Sequence, residues 1–162
     1  MSAGIFCFHI ASAQFSDDVD TYRFNVALKL FPRIAATDED LTEKLTSSGE
    51  ILLLIYYKTD RESARQLKGI LADNIPRIGK RKIVYQYTSD LEKYSDPREL
   101  PAAIFLAEPL TKPELHTIMR YAQRNQRLVF SPFEGDVERG VTAGIYISNK
   151  ITPYFNMQAL SR

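Results

Sequence analysis

The segment Ser131-Pro132-Phe133-Glu134-Gly135-Asp136-Val137-Glu138-Arg139-Gly140 gathers three carboxylates, a hydroxyl, a guanidinium and two glycines. Glu134, Asp136 and Glu138 alternate along the chain and could offer oxygen ligands to a hard cation. Glu134 and Asp136 could also form an acid pair for hydrolysis. Neither pattern is complete. A calcium loop needs more acids at fixed spacing. The only histidines are His9 and His116 and the only cysteine is Cys7, so a zinc set and a Cys–His or Ser–His pair both lack members. Lys58-Thr59-Asp60 follow the first apolar run, where a nucleotide enzyme would carry a glycine-rich phosphate loop. The segment is therefore expected to face a ligand or partner through Ser131, Phe133, Glu134, Gly135, Asp136, Glu138 and Arg139, with no catalytic residue, metal or cofactor. Gly135 is expected at positive φ or beneath another backbone, and Phe133 over a sheet edge. The alternative, from a different class, is a small metal-dependent hydrolase using Glu134 and Asp136.

The elements that must carry this loop follow from periodicity. Phe24, Ala27, Leu28 and Phe31 fall at i, i+3, i+4 and i+7, which predicts a helix over Val19 to Ile34 that Pro32 ends or bends. Thr37 to Thr46 reads as a second, polar helical turn capped by Thr37. Ile51 to Tyr57 is continuously apolar, as a strand buried on both faces should be. Ala64, Leu67, Leu71 and Ile75 keep helical spacing. Lys82 to Thr88 and Ala102 to Ala107 read as strands, Leu115, Ile118, Met119 and Ala122 as a helix, and Arg127 to Ser131 as a fourth strand. This alternation predicts an α/β fold, a mainly parallel Rossmann-like sheet flanked by helices. The last two apolar runs, around Val141 to Ser148 and Lys150 to Asn156, leave no room for a helix. They predict an antiparallel hairpin at one edge, where Pro153 is tolerated.

Thr59-Asp60-Arg61-Glu62, Ser89-Asp90-Leu91-Glu92 and Thr111-Lys112-Pro113-Glu114 each match the capping box that opens a helix. Their hydroxyls and glutamates are read as caps, not catalysts. Ser131 to Glu134 has the same spacing, but the glycines after it stop a helix. In a parallel sheet all of these sit at the carboxyl edge, where open α/β sheets bind ligands. The basic turn Gly79-Lys80-Arg81-Lys82 is read as a solvated loop.

The 162 residues are bounded as one domain, with 21 bases against 20 acids and 44% hydrophobic residues. That balance gives no electrostatic footprint for nucleic acid. Residues 1–13 contain a short apolar stretch followed by Ala11-Ser12-Ala13, the small-residue pattern of signal-peptide cleavage, and are expected to be a signal remnant ahead of a domain over 14–162.

Phe24-Asn25 and Phe31-Pro32 in the opening helix, Gly135-Asp136 in the loop, Gly144 to Ile151 in the hairpin and Asn156-Met157 beyond it resemble the YfiR-like (HmsC-like) family of bacterial periplasmic proteins. The resemblance covers most of the chain from Val19 onward. It implies a small exported α/β domain without catalysis. Its partner would be the periplasmic sensor part of a membrane-bound signalling enzyme such as a diguanylate cyclase, with effects on cyclic-di-GMP signalling and biofilm formation. A homodimer is a further expectation. Phe133, Tyr146 and Tyr154 are the expected aromatic contacts, because aromatics carry much of the energy of protein interfaces.

Overall fold

The computed structural model describes residues 10–147 and 151–160. The chain runs α1 (Ile10–Ala35), β1 (Ile51–Tyr56), α2 (Arg61–Asn74), β2 (Arg77–Ile78), β3 (Arg81–Thr88), β4 (Ala103–Leu106), α3 (Lys112–Asn125), β5 (Leu128–Ser131), β6 (Ala143–Ile147), β7 (Ile151–Phe155) and α4 (Met157–Leu160). The strands form one sheet in the order β2-β3-β1-β4-β5-β6-β7. From β3 to β6 every neighbouring pair is parallel. Antiparallel β2 and β7 close the two edges. The α/β class, the mainly parallel sheet and the edge hairpin are as expected. β6 adds a fifth parallel strand, because the segment 132–142 crosses over without a helix. β2, only two residues long, carries too little pattern to be read from the sequence.

Two apolar layers hold the sheet. Ala27 and Phe31 of α1 and Ala64, Leu67 and Leu71 of α2 pack on Leu53, Ile55, Phe105 and Phe130. Leu115, Ile118, Met119 and Ala122 of α3 pack on Leu54, Ile104, Leu106 and Val129 of the other face. Each fully buried Phe, Leu or Ile stabilises by about 1.5–3 kcal/mol relative to exposure. Phe31 lies 5.3 Å from Phe105 and 6.0 Å from Phe130, ring centre to ring centre.

That packing explains why Pro32 does not end α1. The helix continues to Ala35, and the Ala36 N–H still donates to the Pro32 carbonyl at 3.1 Å. Proline removes one donor, but the buried ring of Phe31 holds the preceding residue in helical register. Thr37 does not cap a second helix either. Its hydroxyl donates back to the Ile34 carbonyl at 2.7 Å, closing α1, and the turn that follows is a short 3₁₀ segment, Leu41–Lys44. Of the expected signal remnant, residues 1–9 lie outside the described residues. Ile10 to Ala13 belong to the backbone of α1, so the expected boundary at Gln14 falls within a helix.

Only one of the three capping boxes forms as read. At α3, Glu114 accepts the Thr111 N–H at 2.9 Å and the Thr111 hydroxyl at 2.7 Å. At α2 the cap is Asp60, one residue later, which accepts the Ser63 N–H at 2.9 Å, while Glu62 pairs with Arg65. After β3 the cap is Asp90 and the segment is a single 3₁₀ turn, Leu91–Tyr94. In both cases an aspartate beside the hydroxyl, a charged acceptor, takes the N-cap position.

Candidate functional site: the crossover loop at the carboxyl rim

The loop 132–142 leaves β5 at the carboxyl rim and folds back to start β6 alongside it. Two of the polar residues in this segment, Ser131 and Asp136, face inward and are 1% and 0% exposed. The Ser131 hydroxyl donates to Asp136 Oδ2 at 2.5 Å and accepts the Phe133 N–H at 3.1 Å. Asp136 Oδ1 accepts from Arg139 Nη2, and Arg139 Nη1 reaches the Leu110 carbonyl at 3.2 Å. The Asp136 carbonyl accepts the Val141 N–H at 3.0 Å. Asn156 Nδ2 donates to the Val137 carbonyl at 3.2 Å, so the end of β7 also braces the loop. These bonds replace the ladder that a crossover helix would supply and satisfy backbone groups that burial would otherwise strand.

Two glycines make this path sterically open. Gly135 has φ +80°, as expected, in the region that side chains rarely adopt. Gly144 in β6 lies directly against the loop. A Cβ there would stand 2.8 Å from Val137 Cγ2 and 3.0 Å from the Ser131 carbonyl oxygen.

The expected contact residues therefore divide. Ser131 and Asp136 are enclosed and act within the loop. Arg139 is partly exposed but bound to Asp136. Phe133, half-buried, packs against the apolar layer that includes Leu106 and Val129, with its ring 6.1 Å from Phe24 of α1. Glu134 and Glu138 are exposed. Glu134 Oε2 lies 2.9 Å from Arg23 Nη2. Glu134 and Asp136 thus serve different partners, Arg23 and the Ser131–Arg139 pair. Among the described residues, no group of three or more His, Cys, Asp and Glu side chains stands where it could hold a metal ion.

Arg23 is the member of this site that sequence reasoning missed. It is 8% exposed, and its guanidinium spans Asp20 Oδ1 at 3.2 Å and Glu134. The signal was available: Arg23, Ala27 and Phe31 recur at four-residue steps on the buried face of α1, so an arginine there needs an anionic partner. Outside this ion pair, Tyr146 and Tyr154 stand on neighbouring strands with ring centres 6.4 Å apart, 59% and 42% exposed. A shallow hollow connects them to Arg23, Phe133, Glu134 and Gly135.

The usual ligand crevice of such a sheet opens where successive crossovers diverge, here between β1 and β4. Glu108, just past β4, occupies it. Its carboxylate accepts the N–H groups of Lys58 and Thr59 and, at 2.7 Å, the Thr59 hydroxyl. Burial works against ionisation of Glu108, yet these donors outweigh it and hold its pKa below the ordinary carboxylate value. The basic turn is a hairpin corner with Gly79 at φ +56°, and Lys82 pairs with Glu50 at 2.7 Å.

No described helix is long and apolar enough to cross a membrane. No protein-family model matches the chain, and no curated protein matches it.

Proposed function

We propose that this protein is a non-catalytic binding module of the YfiR-like kind. It acts in the periplasm on the sensor part of a membrane-bound signalling enzyme, such as a diguanylate cyclase controlling cyclic-di-GMP output and biofilm formation. One observation carries the reading. Ser131, Asp136 and Arg139 are bonded to one another within the crossover segment, while the surface beside them is aromatic and exposed, with Tyr146 and Tyr154 next to the Arg23–Glu134 pair. Exposed aromatics beside a fixed ion pair suit protein recognition, where a few such side chains contribute about 2 kcal/mol or more each. The hydrolase alternative asks Asp136 to reach a substrate or cation, and its carboxylate has no exposed surface.

The test is affinity capture. The chain is immobilised and exposed to detergent-solubilised membranes from its own cell. Recovery of an integral membrane protein bearing a cyclase or histidine kinase domain supports the proposal. Recovery of no such protein counts against it.

A further inference from the structure

At the opposite, amino rim, the ends of α1 and α3 part and leave a cleft of about 700 Å³. Its volume is that of a small-molecule site, where pockets run about 300–1,000 Å³. Ile34, Met119, Leu128, Phe155 and Met157 supply apolar wall. Arg127 lines it too. Its Nε is buried without a partner, and Nη1 makes only a 3.4 Å contact with the Gln126 carbonyl. Among the described residues Arg127 has no carboxylate within ion-pairing distance. Burial lowers its pKa, the mark of a guanidinium held in poor solvent without full compensation.

The backbone that delivers Arg127 is also unusual. Gln126 takes φ 54°, ψ 50°, the left-handed conformation, and is the one described non-glycine residue with positive φ. The Arg127 N–H then bonds the Ala122 carbonyl at 2.8 Å. Glycine is the common residue at such a helix end, so a strained glutamine here turns the chain straight into the cleft wall. Asp38, the carboxylate whose charge acts on Arg127 from the α1 side, is already occupied. Lys44 Nζ lies 2.5 Å from its Oδ2, and the Asp40 N–H donates to its Oδ1 at 3.0 Å. Glu39 and Asp40 are exposed, where solvent and salt screen them.

We propose that this cleft binds a small amphipathic carboxylate, its apolar body against Met119, Leu128 and Phe155 and its carboxylate on Arg127. A half-buried guanidinium whose Nε has no partner gains most from a planar anion that matches its fork of donors. The site lies on the rim away from the proposed partner surface, so either can fail without the other.

Sodium octanoate is the probe, with acetate and octanol as controls, in calorimetric titration of the full chain. Octanoate is expected to saturate one site, with acetate and octanol at least about tenfold weaker, about 1.4 kcal/mol. Arg127→Gln is expected to weaken octanoate by at least the same factor. Two of the three methionines, Met119 and Met157, line the cleft, so their ¹³C-methyl resonances report where the probe sits. Equal octanoate binding by Arg127→Gln, no saturable binding, or no shift at either methyl would overturn the site. Should Arg127→Gln fail to fold, the unmodified chain still decides, because equal affinity for octanol and octanoate removes the role of the guanidinium.

Discussion

Ser131 and Asp136 are joined by a 2.5 Å hydrogen bond, and neither residue has appreciable contact with solvent. The bond closes a loop that passes from one parallel strand to the next without a helix. It gives the acidic segment a structural reason to be acidic. A buried carboxylate in this position is tolerated because the Ser131 hydroxyl and the Arg139 guanidinium both donate to it.

Removing either end of that bond should therefore loosen the crossover. Ser131→Ala leaves Asp136 one donor short, and Asp136→Ala frees both Ser131 and Arg139. Each is expected to cost about 1–3 kcal/mol, read as a lower urea midpoint. Because Asp136 is enclosed, titration with calcium, magnesium or manganese should give no saturable heat that Asp136→Ala abolishes. Metal binding lost in that variant would favour the hydrolase alternative.

Gly144→Ala tests the close approach of loop and strand. Its new methyl would meet Val137 Cγ2 and the Ser131 carbonyl, and overpacking of this kind costs about 1–3 kcal/mol. Adding Val137→Ala should recover part of the loss, since it relieves one of the two clashes. The four stabilities form a double-mutant cycle whose coupling term measures the contact.

Glu108 gives a pH signature. Its folded pKa lies below its unfolded value, so its contribution is present above the unfolded carboxylate pKa of about 4.3 and fades as pH falls through the folded one. Glu108→Gln keeps the shape and loses the charge. Wild type is expected to be more stable than this variant by about 1 kcal/mol at neutral pH. The two should converge in acid, as urea titrations at several pH values would show. A difference that grows on acidification would contradict this role.

Much of the fold was legible because long apolar runs and helical spacing dominate it. Phe24, Ala27, Leu28 and Phe31 marked α1, and Ile51 to Tyr57 marked the central strand. Local rules failed where tertiary contacts outweighed them. Phe31 against Phe105 and Phe130 carries α1 through Pro32. Neighbouring aspartates took the caps expected of Thr59 and Ser89. The candidate loop was visible in composition, but its sidedness was not. Composition does not say which acid turns inward: Asp136 is held by its neighbours Ser131 and Arg139, while Glu134 finds its partner in Arg23, more than a hundred positions away. Glu108 was missed for the same reason: its donors, Lys58 and Thr59, belong to a different crossover.

The aromatic pair on the edge hairpin is where binding and stability should separate. Tyr146 and Tyr154 are exposed, so Tyr146→Ala with Tyr154→Ala is expected to lower stability by no more than about 1 kcal/mol. Phe133→Ala, which opens a contact with Phe24, should cost more stability than the tyrosine pair.

The most direct measurement is capture of the membrane signalling protein by wild type and by the double tyrosine variant, side by side at equal folded concentration. Wild type should retain the protein and the variant should lose at least about 90% of it, the effect of roughly 2 kcal/mol removed from an interface. Undiminished capture by the variant, or none by wild type, would contradict recognition through the carboxyl rim.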